Sequence, residues 1–234
     1  DHRDLHSFPT RRSSDLMTGT DTTYAIENDL IKLTVSAKSA KVYSVEVKNY
    51  KNYDSLPLTL FEGDKNIFEM VFFAQNRNIS TQLLFFKPIQ FTGNDSITLR
   101  AQVTDSSYIE YFYKLKKGSY LVDFKIKMVG MEKIIAPNTS YLTLNWNVDL
   151  PRLEKGIAWE RNNSTVYYNF FQSEVENLSP TSEAAEENLN TRIKWIAYKQ
   201  QFFSSALIAS ENFINAKVKR SEEHTSELQS PNTI

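Results

Sequence analysis

Cysteine is absent, and histidine is confined to His2, His6 and His224, near the two ends of the 234-residue chain. Residues 17–219 therefore hold neither, which excludes from this segment Cys/His metal centres, Ser-His-Asp triads, cysteine nucleophiles and disulfides. Glycine is scarce, at six residues, whereas Phe and Tyr number 15 and 12. That balance is typical of strand-rich chains. No run approaches the ~18 to 20 apolar residues that span a bilayer. The longest, such as Met70–Ala74 and Ile134–Ala136, read as core strands or strand ends. Neither charge sign is in excess, with 27 basic and 28 acidic residues. No broad attraction to nucleic acid or to an anionic membrane is implied.

The two ends stand apart from the rest. Asp1–Leu16 (DHRDLHSFPTRRSSDL) and Arg220–Ser230 (RSEEHTSELQS) each match one reading frame of a short-read sequencing adapter, in the orientations that flank an insert. Residues 1–16 and 220–234 are accordingly expected to be adapter-like artefact without a domain, and residues 17–219 to be an incomplete domain. That central segment keeps 23 basic and 22 acidic residues and is large enough for one sizeable core.

Along the chain, apolar and polar residues alternate in short runs. Leu33 and Val35 alternate with Lys32 and Thr34, and Val45 and Val47 return after a polar loop at Ser36–Ala40, giving an antiparallel hairpin. Phe68–Ala74 reads as a buried strand, Asn76–Thr81 as a polar loop, and Pro88 as a break between short strands. Three runs then form a meander: Ile97–Val103, Ile109–Leu115 and Tyr120–Met128, the last two joined by a tight turn at Lys116-Lys117-Gly118. Leu142–Leu150 is the most regular alternation. Pro151–Asn163 is a polar excursion carrying Trp159, and Glu174–Thr191, with Glu183, Glu186 and Glu187, reads as an exposed loop with at most a short helix. Lys194–Ser210 (KWIAYKQQFFSSALIAS) reads as a buried strand with a kink or bulge near the glutamines, a buried helix turn being the local alternative. At least ten short strands without a long amphipathic helix give an all-β protein, a large antiparallel β-sandwich, with a closed barrel as the structural alternative.

Chemistry-bearing residues are few. Glu110 with Asp123, or Glu154 with Glu160, are conceivable acid/base pairs, but nothing fixes their separation, so solvated surface carboxylates are expected. Lys114, Lys116, Lys117, Lys125 and Lys127 read as solvated strand faces that discourage edge aggregation rather than a nucleic-acid site. Trp159, in a polar loop, is the candidate for partner contact. No catalytic residue, cofactor or metal is expected.

Five stretches, in order, resemble the periplasmic domain of the YidC/Oxa/Alb membrane protein insertases, in their Bacteroidota form. They are Glu27–Tyr50, Phe73–Asn78, Ala136–Trp146 (APNTSYLTLNW), Pro151–Gly156 (PRLEKG) and Lys194–Ser205. The last resembles the family's W-[IV]-A-x-x-x-Q-[YF]-F pattern at Trp195, Ile196, Ala197, Gln201, Phe202 and Phe203, of which Trp195, Gln201, Phe202 and Phe203 are expected in the core. Many members carry Gly-Gly in the first hairpin where this chain has Ser39-Ala40, so a turn without positive φ is expected there. The resemblance implies a galactose-mutarotase-like β-supersandwich, truncated on its carboxy-terminal side, on the periplasmic side of the bacterial inner membrane. The parent would anchor it through helices outside this segment. Its role would be that of a non-catalytic scaffold or chaperone-like contact domain, with the Sec translocon and nascent membrane proteins as implied partners. Mutarotase-type enzymes use a His acid, which residues 17–219 lack, so the fold does not imply the activity. The rival reading is a carbohydrate-binding or carbohydrate-processing β-sandwich of an exported protein.

Overall fold

A computed structural model describes residues 17–74, 77–221 and, as backbone, 226–233. The expectation for Asp1–Leu16 lies outside the described residues. The chain forms two compact units, one comprising Asp1–Val42 with Val71–Ser140 and the other Tyr43–Met70 with Tyr141–Ile234. Its strands are β1 (Thr23–Glu27), β2 (Ile31–Ser36), β3 (Val42–Lys51), β4 (Pro57–Glu62), β5 (Ile67–Ala74), β6 (Arg77–Ser80), β7 (Lys87–Thr92), β8 (Ser96–Gln102) and β9 (Tyr108–Leu115). They continue as β10 (Val122–Val129), β11 (Thr143–Leu150), β12 (Thr165–Phe170), β13 (Val175–Asn177), β14 (Ala184–Leu189), β15 (Ile193–Lys199), β16 (Ser204–Phe213), β17 (Asn215–Ser221) and β18 (Ser226–Thr233). Among the described residues the one α-helix longer than a turn is α1, Ile157–Asn163. No described helix is long and apolar enough to cross a membrane.

In the first unit the expected meander is an antiparallel sheet in the order β10-β9-β8-β7. The period-two pattern sends Ile97, Leu99, Ala101, Ile109, Tyr111, Tyr113 and Leu115 to the buried face. Phe124 of β10 stacks on Tyr113 (ring centroids 4.8 Å apart) and meets Tyr111 edge-on (5.4 Å). Such pairs add to the apolar area they bury. The turn after β9 has Gly118 at φ 68°. Asn28 pins it by donating to the Lys116 and Ser119 carbonyls, and the Gly118 N–H donates to Asp29. Two readings fail here. Pro88 lies inside β7 rather than between strands, because β7 is an edge strand whose pairing with β8 shifts register between Pro88 and Gln90, so the missing N–H costs no central ladder bond. The loop expected at Asn76–Thr81 contains β6, which pairs with Val71–Ala74.

The Ser39-Ala40 turn is a further correction. Both residues have positive φ, 64° and 52°, without glycine. Both are buried, the Ser39 N–H donates to the Leu84 carbonyl and the Tyr113 hydroxyl donates to the Ala40 carbonyl, so tertiary bonds hold a backbone shape that L-residues disfavour. Replacing Ala40 or Ser39 by Gly is expected to stabilise the protein by roughly 0.5–1 kcal/mol each, the αL penalty less the added chain entropy. Urea unfolding measures this; a loss of stability in Ala40→Gly would show that its methyl packing outweighs the strain.

Tyr113 is fully buried, and burial, with Tyr111 alongside, pushes its phenol well above the usual tyrosine range. Above about pH 10 the unfolded chain ionises this group and the folded chain does not. The stability tied to Tyr113 is therefore intact below pH 10 and falls above it by roughly 1.4 kcal/mol per pH unit. Tyr168 in the second unit shifts in the same direction, through burial first and then its hydrogen bond to Glu187. Urea midpoints between pH 8 and 11 should bend downward above pH 10, and Tyr113→Phe should flatten the bend.

In the second unit β3 pairs with β4, β12 lies between β13 and β15, and β15 pairs with β16 in the order β13-β12-β15-β16. A second ladder runs β14-β17-β18-β11. β18 falls within the adapter-like carboxy-terminal stretch and pairs along its length with β11. β11 alternates inward Leu144, Trp146, Val148 and Leu150, as its sequence foretells. The region expected to be an acidic loop instead supplies β13 and β14. β14 is an edge strand with an exposed Glu186 and with Glu187 accepting from the Tyr168 hydroxyl, so its alternation is hidden. Glu186 there pairs with Lys217 of β17 (2.6 Å).

Candidate functional site

The stretch Lys194–Ser210 is not one kinked strand. It is the β15–β16 hairpin, turned at Gln200–Phe203, where the Gln200 N–H donates to the Phe203 carbonyl. β15 buries Ile193, Ile196, Ala197 and Tyr198, while β16 is an edge strand whose residues before Phe213 are exposed or half-buried. Between Trp195–Ile208 and Ile193–Phe213 the register slips, and Lys194 fills the irregularity by donating to the carbonyls of Ala209, Ser210 and Glu211 (2.8, 2.8 and 3.3 Å).

The core expected for the W-I-A-x-x-x-Q-F-F residues is corrected by this turn. Phe202 is 69% exposed at the hairpin tip; Trp195, Gln201 and Phe203 are half-buried. A four-residue turn cannot send consecutive side chains inward, so Phe202 points out and Phe203 back. Phe203 packs on Val47, Leu58 and Leu153 and meets Tyr50 edge-on at 5.4 Å. With Tyr167, Trp195, Ala197, Lys199, Gln200, Gln201, Phe202 and Ser204, it lines a shallow open groove of about 240 Å³. Trp146, by contrast, is buried as its alternation requires, its ring 4.4 Å from that of Tyr198.

One carboxylate ties this tip to the polar excursion. Glu160 on α1 is 5% exposed. Its Oε1 accepts from the Leu153 N–H (2.9 Å) and lies 3.5 Å from the Gln200 amide, and its Oε2 accepts from the Glu154 N–H (3.3 Å). Gln200 in turn donates to the Pro151 carbonyl (2.8 Å). The Tyr53 N–H donates to the Leu153 carbonyl, and the Arg152 guanidinium lies 4.4 Å over the Tyr53 ring. Lys199 donates to the Asn163 carbonyl (3.1 Å), and Asn163 to that of Trp159 (2.8 Å). Three segments distant in sequence, 48–56, 152–163 and 199–203, therefore meet at one place, with Trp159 72% exposed beside them. Trp159 was legible as exposed from its polar neighbours. Tyr50, Tyr53 and Leu56 were not, because nothing local signals that their loop meets the hairpin tip.

The geometry separates the first candidate carboxylate pair and occupies Glu160 of the second. Glu160 spends its oxygens on backbone N–H groups, including that of Glu154. Glu110 stands opposite Lys127 and Asp123 opposite Lys114, four residues apart along the strand or about 13 Å. Glu110 instead takes the Arg100 guanidinium (Nε 2.8 Å), and Asp123 pairs with Lys116 (3.1 Å).

The family described as YidC periplasmic domain matches residues 23–233. A protein of Bacteroides fragilis named Membrane protein insertase YidC is 34% identical over 194 residues, which cover 83% of this chain and 31% of that protein. One of the same name from Parabacteroides distasonis is 33% identical over 200 residues, covering 85% of this chain and 31% of its own. The chain thus spans about a third of the length of these relatives. Among solved structures, a putative aldose 1-epimerase from Escherichia coli aligns with a TM-score of 0.56 at 10% identity, over 92% of this chain and 88% of that one. A galactose mutarotase-like protein from Lactobacillus casei aligns with 0.54 at 11%, over 91% and 87%. These likenesses give the fold, a galactose-mutarotase-like β-sandwich, and at such identity nothing of activity.

Proposed function

Because the chain belongs to the YidC periplasmic domain family, we propose that it is a non-catalytic scaffold and contact domain of a membrane protein insertase, held on the periplasmic side of the inner membrane. The observation that carries this reading is the family match across residues 23–233. In this reading the insertion step belongs to parts of the parent outside this chain. The domain offers its surface to neighbours of the insertase, the Sec translocon and emerging membrane proteins, with Trp159 among the contacting residues. Support for a contact rather than a catalytic role comes from Glu160, Glu110 and Asp123, whose carboxylates are occupied by backbone N–H groups or a cation rather than paired for proton transfer.

The test exchanges this chain for the corresponding domain of the Bacteroides fragilis insertase and measures membrane insertion of a reporter protein. Insertion is expected to be retained, and a photo-crosslinker placed at position 159 is expected to capture translocon or nascent-chain protein. Aldose mutarotation by the isolated chain above the spontaneous rate would overturn the non-catalytic reading in favour of carbohydrate processing.

A further inference from the structure

The second unit exposes large apolar side chains on three segments that bond to one another: Tyr50 at the end of β3 with Tyr53 and Leu56 on the loop that follows it, Trp159 on α1, and Phe202 on the β15–β16 tip. The contacts through Glu160, Gln200, Phe203 and Leu153 hold the three segments that carry these side chains against one another. The three contributing segments, 48–56, 152–163 and 199–203, hold six basic side chains (Lys48, Lys51, Arg152, Lys155, Arg161, Lys199) against Asp54, Glu154 and Glu160. Glu160 is buried on backbone N–H groups, so the exposed charge is more positive still. The whole chain is nearly neutral, so this is a local concentration of positive charge around exposed aromatics.

We infer that this face docks on the surface of a bilayer containing anionic phospholipid. Aromatic side chains with polar edges settle at headgroup depth, and flanking Lys and Arg keep their stems on apolar surface while their heads meet phosphates. Positive charge near an anionic surface adds to the attraction and fades with salt. An apolar peptide segment is a poorer fit, because the groove at the tip is shallow and open and most of the exposed apolar side chains lie outside it on separate loops. The inference rests on the membrane-side placement proposed above only in supposing that a bilayer is within reach.

The experiment is vesicle co-sedimentation of the full 234-residue chain with phosphatidylcholine alone and with phosphatidylcholine and phosphatidylglycerol at about two to one. Binding is expected only with phosphatidylglycerol, and is expected to fall about tenfold or more between 50 and 500 mM salt. The variant W159S/F202S should lose about tenfold in partitioning by removing the two most exposed rings. The variant K155E/R161E changes only exposed charges and should lose as much, which guards against misfolding of the first. Equal binding to both vesicles, no binding to either, or binding unchanged in both variants overturns the inference. So does saturable binding of a soluble apolar peptide that the ring variant abolishes while vesicles are ignored; that result names a polypeptide groove instead. Because the measurement needs no insertase activity, its failure leaves the exchange experiment free to succeed.

Discussion

Trp146→Ala is expected to lower the unfolding free energy by roughly 3–5 kcal/mol, the range for truncating a large aromatic in a packed core. Trp146 is 8% exposed at the centre of β11, between the inward-facing Leu144 and Val148. Its ring lies 4.4 Å from that of Tyr198 at 61°, and the Tyr198 hydroxyl donates to the Trp146 carbonyl. The loss combines apolar area returned to water with a cavity that the strands of the second unit cannot close, since each is fixed by its ladder. Tyr198→Phe keeps the ring and removes one buried donor, so it should cost about 1 kcal/mol. A cycle of Trp146→Ala with Tyr198→Ala, which removes the second ring, should show a coupling of roughly 0.5–1.5 kcal/mol, because the ring pair is lost only once. Denaturant unfolding followed by circular dichroism reads all three. A cost for Trp146→Ala below about 1.5 kcal/mol would mean that the ring does not sit in a packed interior.

That Trp146 is core was readable from sequence, since β11 alternates without interruption and period two has only one register that buries its apolar set. The β8–β9–β10 meander was readable for the same reason, down to the turn that Gly118 makes possible. Legibility failed where burial is one-sided or imposed from elsewhere. β14 shows carboxylates because it is an edge, and β7 tolerates Pro88 because it is an edge too. Ser39 and Ala40 carry positive φ because Leu84 and Tyr113 bond their backbone from far along the chain, which no local propensity contains. At the candidate surface the same limit applies. Lys194–Ser210 is dense in apolar residues, and density alone does not distinguish a buried strand from a hairpin whose tip shows Phe202 to solvent.

Glu160→Ala is expected to cost roughly 2–4 kcal/mol, although its carboxylate makes no ion pair in the bonds described for it. The Leu153 and Glu154 N–H groups both end on that carboxylate, and alanine leaves them without it. Leu153 is 3% exposed, so water does not readily replace the lost acceptor, and a buried unsatisfied donor carries its full desolvation cost. Gln200 would still hold the Pro151 carbonyl, but its link to α1 would be gone. Glu160→Gln keeps one acceptor oxygen and turns the other position into a donor facing an N–H, so it should recover only part of the loss. The effect should also be local: Lys155 and Arg161 flank the released segment, and trypsin should cleave there faster in Glu160→Ala under native conditions. Sites within β8–β10 should keep their protection. If cleavage at Lys155 and Arg161 is unchanged while global stability falls, Glu160 acts through packing of α1 rather than by holding the 151–156 loop. If both change, one buried carboxylate sets the position of Trp159 relative to the hairpin tip. Vesicle binding should then weaken in Glu160→Ala with every exposed side chain of the docking face still present, because the rings and cations would no longer be held on one surface.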